Sequence, residues 1–276
     1  MDVYAVLTHR IHHTAASRPA LPAVSPWRLR LFTHYARRYV QQSFHAVRLL
    51  RAGQPPQLPE RPMVVYCNHP SWWDPLLCLL LAQRYFPART HYAPMAADAL
   101  ARYRFLARLG FFGLATGTRQ EAATLLRVGQ AIARQPQTAL WITPEGQFTD
   151  PRQRPVQLQP GLGHLARRLT GAAFVPLALE YPFWEERFPE ALACFGDVVP
   201  VDQLPSHSAG DWTTLLARQL EATQDRLAEA ARRRDPEVFE TLLRGRVGIG
   251  GAYDLWRRLR AWRRGAAFQQ AHGRED

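Results

Sequence analysis

A histidine and an aspartate stand five positions apart in YCNHPSWWDP, residues 66 to 75, each directly followed by proline, with two tryptophans between them. An imidazole with its ordinary pKa of ~6.5 is mostly neutral near pH 7 and can take a proton from a hydroxyl, an effect worth ~10²- to 10⁴-fold in rate. A carboxylate within reach can hold the ring, fix its tautomer and stabilise the imidazolium that forms. His69 and Asp74 therefore suit an acid/base pair. They equally suit a turn. Residues before proline are pushed out of the α region, so both should be extended, helix should begin at Pro75, and Asp74 should be its N-cap.

The elements around the pair favour chemistry. MVVYC (63 to 67) has the composition of a buried strand, which places the following loop at the carboxyl edge of a sheet, where open α/β sheets hold ligands. A second strand, TALWIT (138 to 143), runs into another polar loop, PEGQFTD (144 to 150), so two loops can converge on one crevice. AAFVPLALEY (172 to 181) and ALACFGDVV (191 to 199) are further strands, with helices expected near 75 to 85, 96 to 109, 119 to 135 and 160 to 170. This alternation predicts an α/β fold, a central mostly parallel or mixed sheet flanked by helices.

Amphipathic helical extensions are expected at both ends. After a leader over 1 to 25, the stretch from Trp27 to Arg51 places Phe32, Tyr35, Ala36, Tyr39, Val40 and Val47 on one face and Arg30, Arg37, Gln41 and Arg48 opposite. GQPPQLPERP (53 to 62) breaks it. Beyond Asp211, helical segments at 211 to 234 and 236 to 244 lead through GRVGIGG to AYDLWRRLRAWRRGA, where Leu255, Trp256, Leu259 and Trp262 oppose Arg257, Arg258, Arg260 and Arg264, with Arg263 on the apolar side. That last helix fits an interfacial membrane anchor and fits equally a terminal helix docked on its own core. The division expected is 1–52, leader and helix; 53–210, α/β domain; 211–276, helical extension.

The 276 residues, 47% of them hydrophobic, can bury a full core. The net charge of +12 comes wholly from arginine, for the chain has no lysine, and guanidinium prefers phosphate or carboxylate partners. Nucleic acid, an anionic membrane surface and phosphorylated substrates all fit that charge. Cys67, Cys78 and Cys194 sit in apolar runs without metal-ligand spacing, which argues for a reducing compartment and against a disulfide framework or zinc site. The N-terminus has no sustained apolar core followed by a cleavage site, and the apolar run Pro75 to Ala82 falls far short of the ~20 residues of a membrane-spanning helix. GLGHLA (161 to 166) imitates a dinucleotide fingerprint but lacks the strand that should precede it, and no G-x-S-x-G, P-loop or H-E-x-x-H occurs.

Taken in order, these landmarks resemble the glycerolipid acyltransferases, the family containing bacterial 1-acylglycerol-3-phosphate acyltransferase. NHPSWWD reads as their N-H-x-x-x-x-D motif, PEGQF (144 to 148) is similar to their P-E-G-T-R block, Pro160-Gly161 opens the helix that usually follows, and FVPLALEY (174 to 181) looks like the closing V-P-V block. The resemblance runs from Met63 to Val199. It implies an O-acyl transfer without a cofactor: His69, supported by Asp74, deprotonates an acceptor hydroxyl that attacks the thioester of acyl-CoA or acyl carrier protein. Glu145 and Gly146 would shape the acceptor site, Gly146 by allowing close backbone approach. Glu145 suits equally a structural role, bonding the amides of a neighbouring loop.

The match weakens at the phosphate-binding blocks. Thr116 stands near the family's arginine, with Arg119 shortly after as its substitute, and Thr-Arg-Ser after Glu-Gly becomes Gln147, Phe148 and Thr149, with Arg152 and Arg154 close by. Arg119, Thr149 and Arg152 complete the acceptor-binding candidates. The acceptor expected is a lysophospholipid or glycolipid, alternatively a non-phosphate lipid such as a glycosylated terpenoid. The expected location is peripheral, on the cytoplasmic face of a bacterial inner membrane, against an anionic lipid surface. A nucleic-acid-binding protein would explain the arginines but not the ordered motifs, and no nucleic-acid partner is expected.

Overall fold

The computed structural model describes residues 21–58, 60–115, 117–199, 201–203 and 207–247. Most of the expected leader and all of the helix expected over 252 to 266 lie outside the described residues. In chain order the elements are α1 (Pro26–Ser43), β1 (Ala46–Leu50), β2 (Met63–Cys67), α2 (Asp74–Tyr85), β3 (Thr90–Ala96), α3 (Ala97–Arg102), a 3-10 turn (Arg104–Leu109), β4 (Phe111–Leu114) and α4 (Arg119–Ala133). There follow β5 (Thr138–Ile142), α5 (Pro160–Arg168), β6 (Ala173–Glu180), β7 (Glu190–Phe195), α6 (Ala209–Arg233) and β8 (Phe239–Arg244).

The strands form one mixed sheet of eight, in the order β4-β3-β5-β2-β6-β7-β1-β8. The first five are mutually parallel, β7 runs antiparallel to β6, β1 parallel to β7 and β8 antiparallel to β1. β2, β5 and β7 are buried at every position because helices cover both faces, which is why their sequences are nearly continuous apolar runs. On one face α1 and α2 pack Val40, Phe44, Leu77 and Leu81 against Val65, Cys67, Val175 and Leu177. On the other, Ile132 of α4, Leu162 and Leu165 of α5, and Trp212, Leu216 and Leu220 of α6 cover Val64, Tyr66, Leu140 and Phe174. The expected α/β layering is therefore present.

α6 starts at a reciprocal cap: the Ser208 hydroxyl accepts from the Asp211 amide and the Asp211 carboxylate from the Ser208 amide. α5 crosses it closely, since a Cβ on Gly163 would strike the Ala209 carbonyl and the Thr213 hydroxyl. Under the sheet's amino edge, buried Arg89 donates to the carbonyls of Arg61, Pro136, Thr138 and Leu58, tying three connections together.

Two expected elements are corrected. The helix expected from Trp27 to Arg51 ends at Ser43, and residues 46 to 50 form β1, hydrogen-bonded on both sides by β7 and β8. Arg48 stays in that buried strand because it donates to Glu190 at 3.0 Å and to the Thr241 hydroxyl at 2.8 Å. Residues 236 to 244 are likewise no helix but a 3-10 turn followed by β8. Strands drawn from either side of the central region thus pair with one another inside the common sheet.

Candidate active site

β2 and β6 lie side by side, with Cys67 opposite Leu177, and the pairing extends one residue further through a side chain. The Asn68 amide donates to the Leu179 carbonyl at 2.9 Å and accepts from the Leu179 amide at 2.8 Å. Asn68 so completes the ladder while the main chain turns away, which delivers His69 to the carboxyl edge of the sheet. There the His69 backbone is gripped from both sides by the loop after β5: its N–H donates to the Glu145 carboxylate at 2.7 Å and its carbonyl accepts from the Thr149 amide at 3.0 Å.

The His69 ring places Nδ1 2.6 Å from Asp74 Oδ2. Asp74 is fully buried, and its Oδ2 also accepts from the Ser71 amide at 3.1 Å while Oδ1 accepts from the Tyr181 hydroxyl at 2.6 Å. The Ser71 amide and the Tyr181 hydroxyl already donate to this carboxylate, which suits the ionised form that accepts only. Nδ1 must then carry the proton, and a neutral ring presents Nε2 as a bare acceptor. Nε2 makes no hydrogen bond with a described residue, and the ring retains 20% of its exposure. Phe148 covers it from one side, with ring centroids 4.4 Å apart.

Asp74 is not the N-cap that the proline pattern predicts. It is the first residue of α2, Trp73 holds the cap position without a side-chain bond, and the carboxylate turns inward to His69 and Tyr181. Pro75 still sits in the first turn, where its missing N–H costs nothing. Trp73 packs edge-on against Phe44 with centroids 4.9 Å apart, and Phe44 also meets Tyr181 at 5.6 Å, so the end of α1 walls the pair.

Glu145 is buried, and burial raises its carboxyl above the usual range while the bond from the His69 amide pulls it down. Gly146 has φ +74°, in the left-handed region that glycine adopts without strain, and it turns the chain straight after Glu145. Thr149 contributes its backbone amide, and its hydroxyl donates to the Gln147 carbonyl at 3.4 Å. Arg152 is exposed and engaged twice with Asp150, at 3.0 and 2.9 Å. Arg154 is paired with Asp225 of α6. Arg119 is the first residue of α4, and Thr116 lies outside the described residues.

The structure thus brings together His69, Asp74, Glu145 and Thr149, whereas Arg152 turns to a neighbouring carboxylate. Asn68, the first residue of NHPSWWD, and Tyr181, the last of FVPLALEY, also adjoin the pair, although neither was among the expected site residues. Cys67 and Cys78 face each other at 3.9 Å beneath the pair, and the bond to Cys78 together with burial pushes the Cys67 thiol well above its usual range, which suits packing rather than nucleophilic attack. Among the described residues no cluster of three or more His, Cys, Asp or Glu could hold a metal ion, and no helix is long and apolar enough to cross a membrane.

The family model Acyltransferase matches residues 43–180, half of the chain. No curated protein matches. Among solved structures, the chain is similar to the X-ray structure of the Yersinia pseudotuberculosis ATPase DotB, at 11% identity and a TM-score of 0.33. That match covers 66% of this chain and 57% of the other, less than two thirds of its length.

Proposed function

Since the chain belongs to the acyltransferase family, we propose that it moves a fatty acyl group from an acyl-CoA or acyl carrier protein thioester to a hydroxyl of a lipid acceptor, with His69 as general base. The observation that carries this reading is the 2.6 Å bond from His69 Nδ1 to the buried Asp74 carboxylate, which leaves Nε2 without a partner among the described residues. Nε2 takes the acceptor's proton as its oxygen attacks the thioester carbonyl, and Asp74 offsets the charge the ring acquires. On collapse of the tetrahedral intermediate the proton passes to the leaving thiolate and the ester is formed. Glu145 and Thr149 keep His69 in register, and the turn at Gly146 forms the wall against which the acceptor headgroup lies.

Arg152 and Arg119 are the proposed contacts for an anionic headgroup. Arg152 already gives its Nε–H and one Nη2–H to the Asp150 carboxylate, so a phosphate would have to share it with that carboxylate. That competition favours the second reading of the acceptor, a glycosylated or otherwise hydroxylated lipid without phosphate.

The lipid substrate implies a lipid surface, and α1 offers one. Trp27, Leu31 and Tyr35, spaced four residues apart on one stripe, are 63%, 64% and 56% exposed. Ring contacts continue the stripe, with Tyr35 stacked on Tyr39 and Tyr39 tilted against Trp72 in the loop between His69 and Asp74, and Phe32 links it to Phe105. Arg28, Arg30, Arg37 and Arg38 flank it in solvent. An apolar patch bordered by guanidinium groups suits the headgroup boundary of an anionic bilayer. We place the enzyme peripherally on the cytoplasmic face of a bacterial membrane, with the segment 252 to 276 as a second anchor.

The test is incubation of purified protein with labelled acyl-CoA or acyl carrier protein and mixed cellular lipids, followed by identification of the labelled product by mass. A labelled lipid ester that disappears in His69→Ala supports the proposal. An unlabelled lipid pool, or a product that persists in His69→Ala, refutes it, and salt-sensitive binding of nucleic acid by the same preparation would favour a binding protein instead. Flotation with anionic vesicles should be lost in the triple variant Trp27→Ser, Leu31→Ser, Tyr35→Ser.

A further inference from the structure

Asp74 is surrounded from every side. His69 faces it from the loop after β2, the Ser71 amide from the same loop, Tyr181 from the end of β6, the Cys67 and Cys78 thiols from β2 and its own helix, and Glu145 from the loop after β5. A wholly buried carboxylate is costly unless donors converge on it. Of the three that do, His69 is occupied with substrate chemistry and the Ser71 amide, at 3.1 Å, shares Oδ2 with it. Oδ1 has a single donor among the described residues, the Tyr181 phenol, at 2.6 Å.

We infer that Tyr181 is a positioning residue of the catalytic pair: its hydroxyl fixes the Asp74 carboxylate and draws off part of the negative charge presented to His69. Three features make this more than incidental contact. Tyr181 directly follows Glu180, the last residue of β6, and Leu179 is bonded to Asn68 next to His69, so one strand edge sets the height of both ring systems. Its ring is wedged on Phe44, which in turn holds Trp73, the residue preceding Asp74. Its phenol is pushed well above the usual range by burial and then by the Asp74 charge, so it remains a proton donor throughout the working range of an imidazole base.

A bonded phenol shares the charge of the carboxylate. Without it, Asp74 would hold the Nδ1 proton harder. The kinetic part of this inference rests on the acyl-transfer reading, whereas the hydrogen-bonded chain from phenol to carboxylate to imidazole can be observed without any substrate.

The test uses Tyr181→Phe in the full chain, alone and combined with Asp74→Asn. Because a bond to a charged group is lost but acts through Asp74, kcat should fall about tenfold with KM within about twofold. The acid limb of kcat/KM should move to higher pH. In the Asp74→Asn background, where no carboxylate charge remains to be shared, Tyr181→Phe should lower kcat by less than about twofold. Independently, the downfield proton resonance of His69 Nδ1–H, identified by its loss in His69→Ala, should shift in Tyr181→Phe. Should that variant fail to fold, a fluorinated tyrosine at 181, a stronger donor, must shift the resonance the opposite way to the loss of the phenol. An unmoved resonance and an unmoved acid limb overturn the inference whatever happens to kcat. A wild-type protein that consumes no acyl donor, yet whose resonance shifts on Tyr181→Phe, would refute the acyl-transfer reading and leave the positioning role standing.

Discussion

Replacing Asp74 by asparagine isolates the charge of the buried carboxylate from its shape. If the amide carbonyl takes the place of Oδ2, it still accepts from His69 Nδ1 and the Ser71 amide, and the amide nitrogen then faces the Tyr181 hydroxyl, which turns to accept. That orientation leaves the Tyr181 O–H proton and the second amide N–H in need of an acceptor, so the fold should lose about 1–3 kcal/mol. Catalysis loses the field acting on the forming imidazolium. Two unit charges ~4 Å apart at an effective dielectric of ~20 attract by about 4 kcal/mol. With the proton partly transferred at the transition state, about 3 kcal/mol of this is felt, which at ~1.4 kcal/mol per decade is roughly 10²-fold in kcat. The assay is thioester consumption at saturating acyl donor, with thermal unfolding measured alongside. A loss below threefold in a folded protein would refute the electrostatic role of Asp74. A large drop in Tm accompanying the loss would assign it to the fold instead.

Three further outcomes follow from the geometry. Gly146→Ala forces a side chain into the left-handed region and toward Gln159 at 3.3 Å, and should cost about 1–2 kcal/mol by chemical denaturation while displacing Glu145 enough to lower turnover. Gly163→Ala places a methyl group on the Ala209 carbonyl and should destabilise the α5–α6 contact by about 3 kcal/mol without altering KM in the folded fraction. His91, half-buried between the Phe86 carbonyl and the Trp141 indole N–H, has its pKa lowered to about 4 by loss of solvation. The unfolded chain binds the proton first, so the stabilisation is present above the ordinary histidine value of ~6.5 and is lost as pH falls toward 4, by about 2 kcal/mol at pH 5. In His91→Gln that part of the pH dependence should vanish, as denaturation curves at pH 7 and 5 would show. Glu145 and Glu180, both raised by burial, act in the opposite sense and are common to the two proteins.

What could be read from residues alone follows physical lines. β2, β5 and β6 match the expected strands almost residue for residue, because a strand buried on both faces needs an unbroken apolar run and leaves that mark in composition. β1 was hidden because Val40 and Val47 keep helical spacing across Ser43, and only pairing with β7 and β8, over 140 residues away, decides for strand. β3 carries Pro94, and β4 has four residues including Gly113, so neither has a strong local signature. At the site, His69 and Asp74 were legible because they are five apart and flanked by proline. Glu145 was legible as one of two alternatives, and its bond to the His69 amide shows the structural one. Tyr181 left no such mark: it lies 107 residues from Asp74, and nothing short of the β2–β6 register brings them together. For Arg152, spacing gave a charge near the loop but not its pairing, which is with Asp150 two residues away.

β1 takes its partners from positions 190 to 193 on one side and 239 to 244 on the other. On the ribosome it therefore waits, first for β7 and then for β8, while nearly all the intervening chain is made. Until Arg244 has emerged, one flank of a buried strand that is apolar except for Arg48 stays open to any extended segment nearby. A nascent chain halted before residue 239 would carry the loops around His69 and Glu145 essentially complete and still be prone to associate with its neighbours, so quality control of this protein falls on the last described strand rather than on those loops.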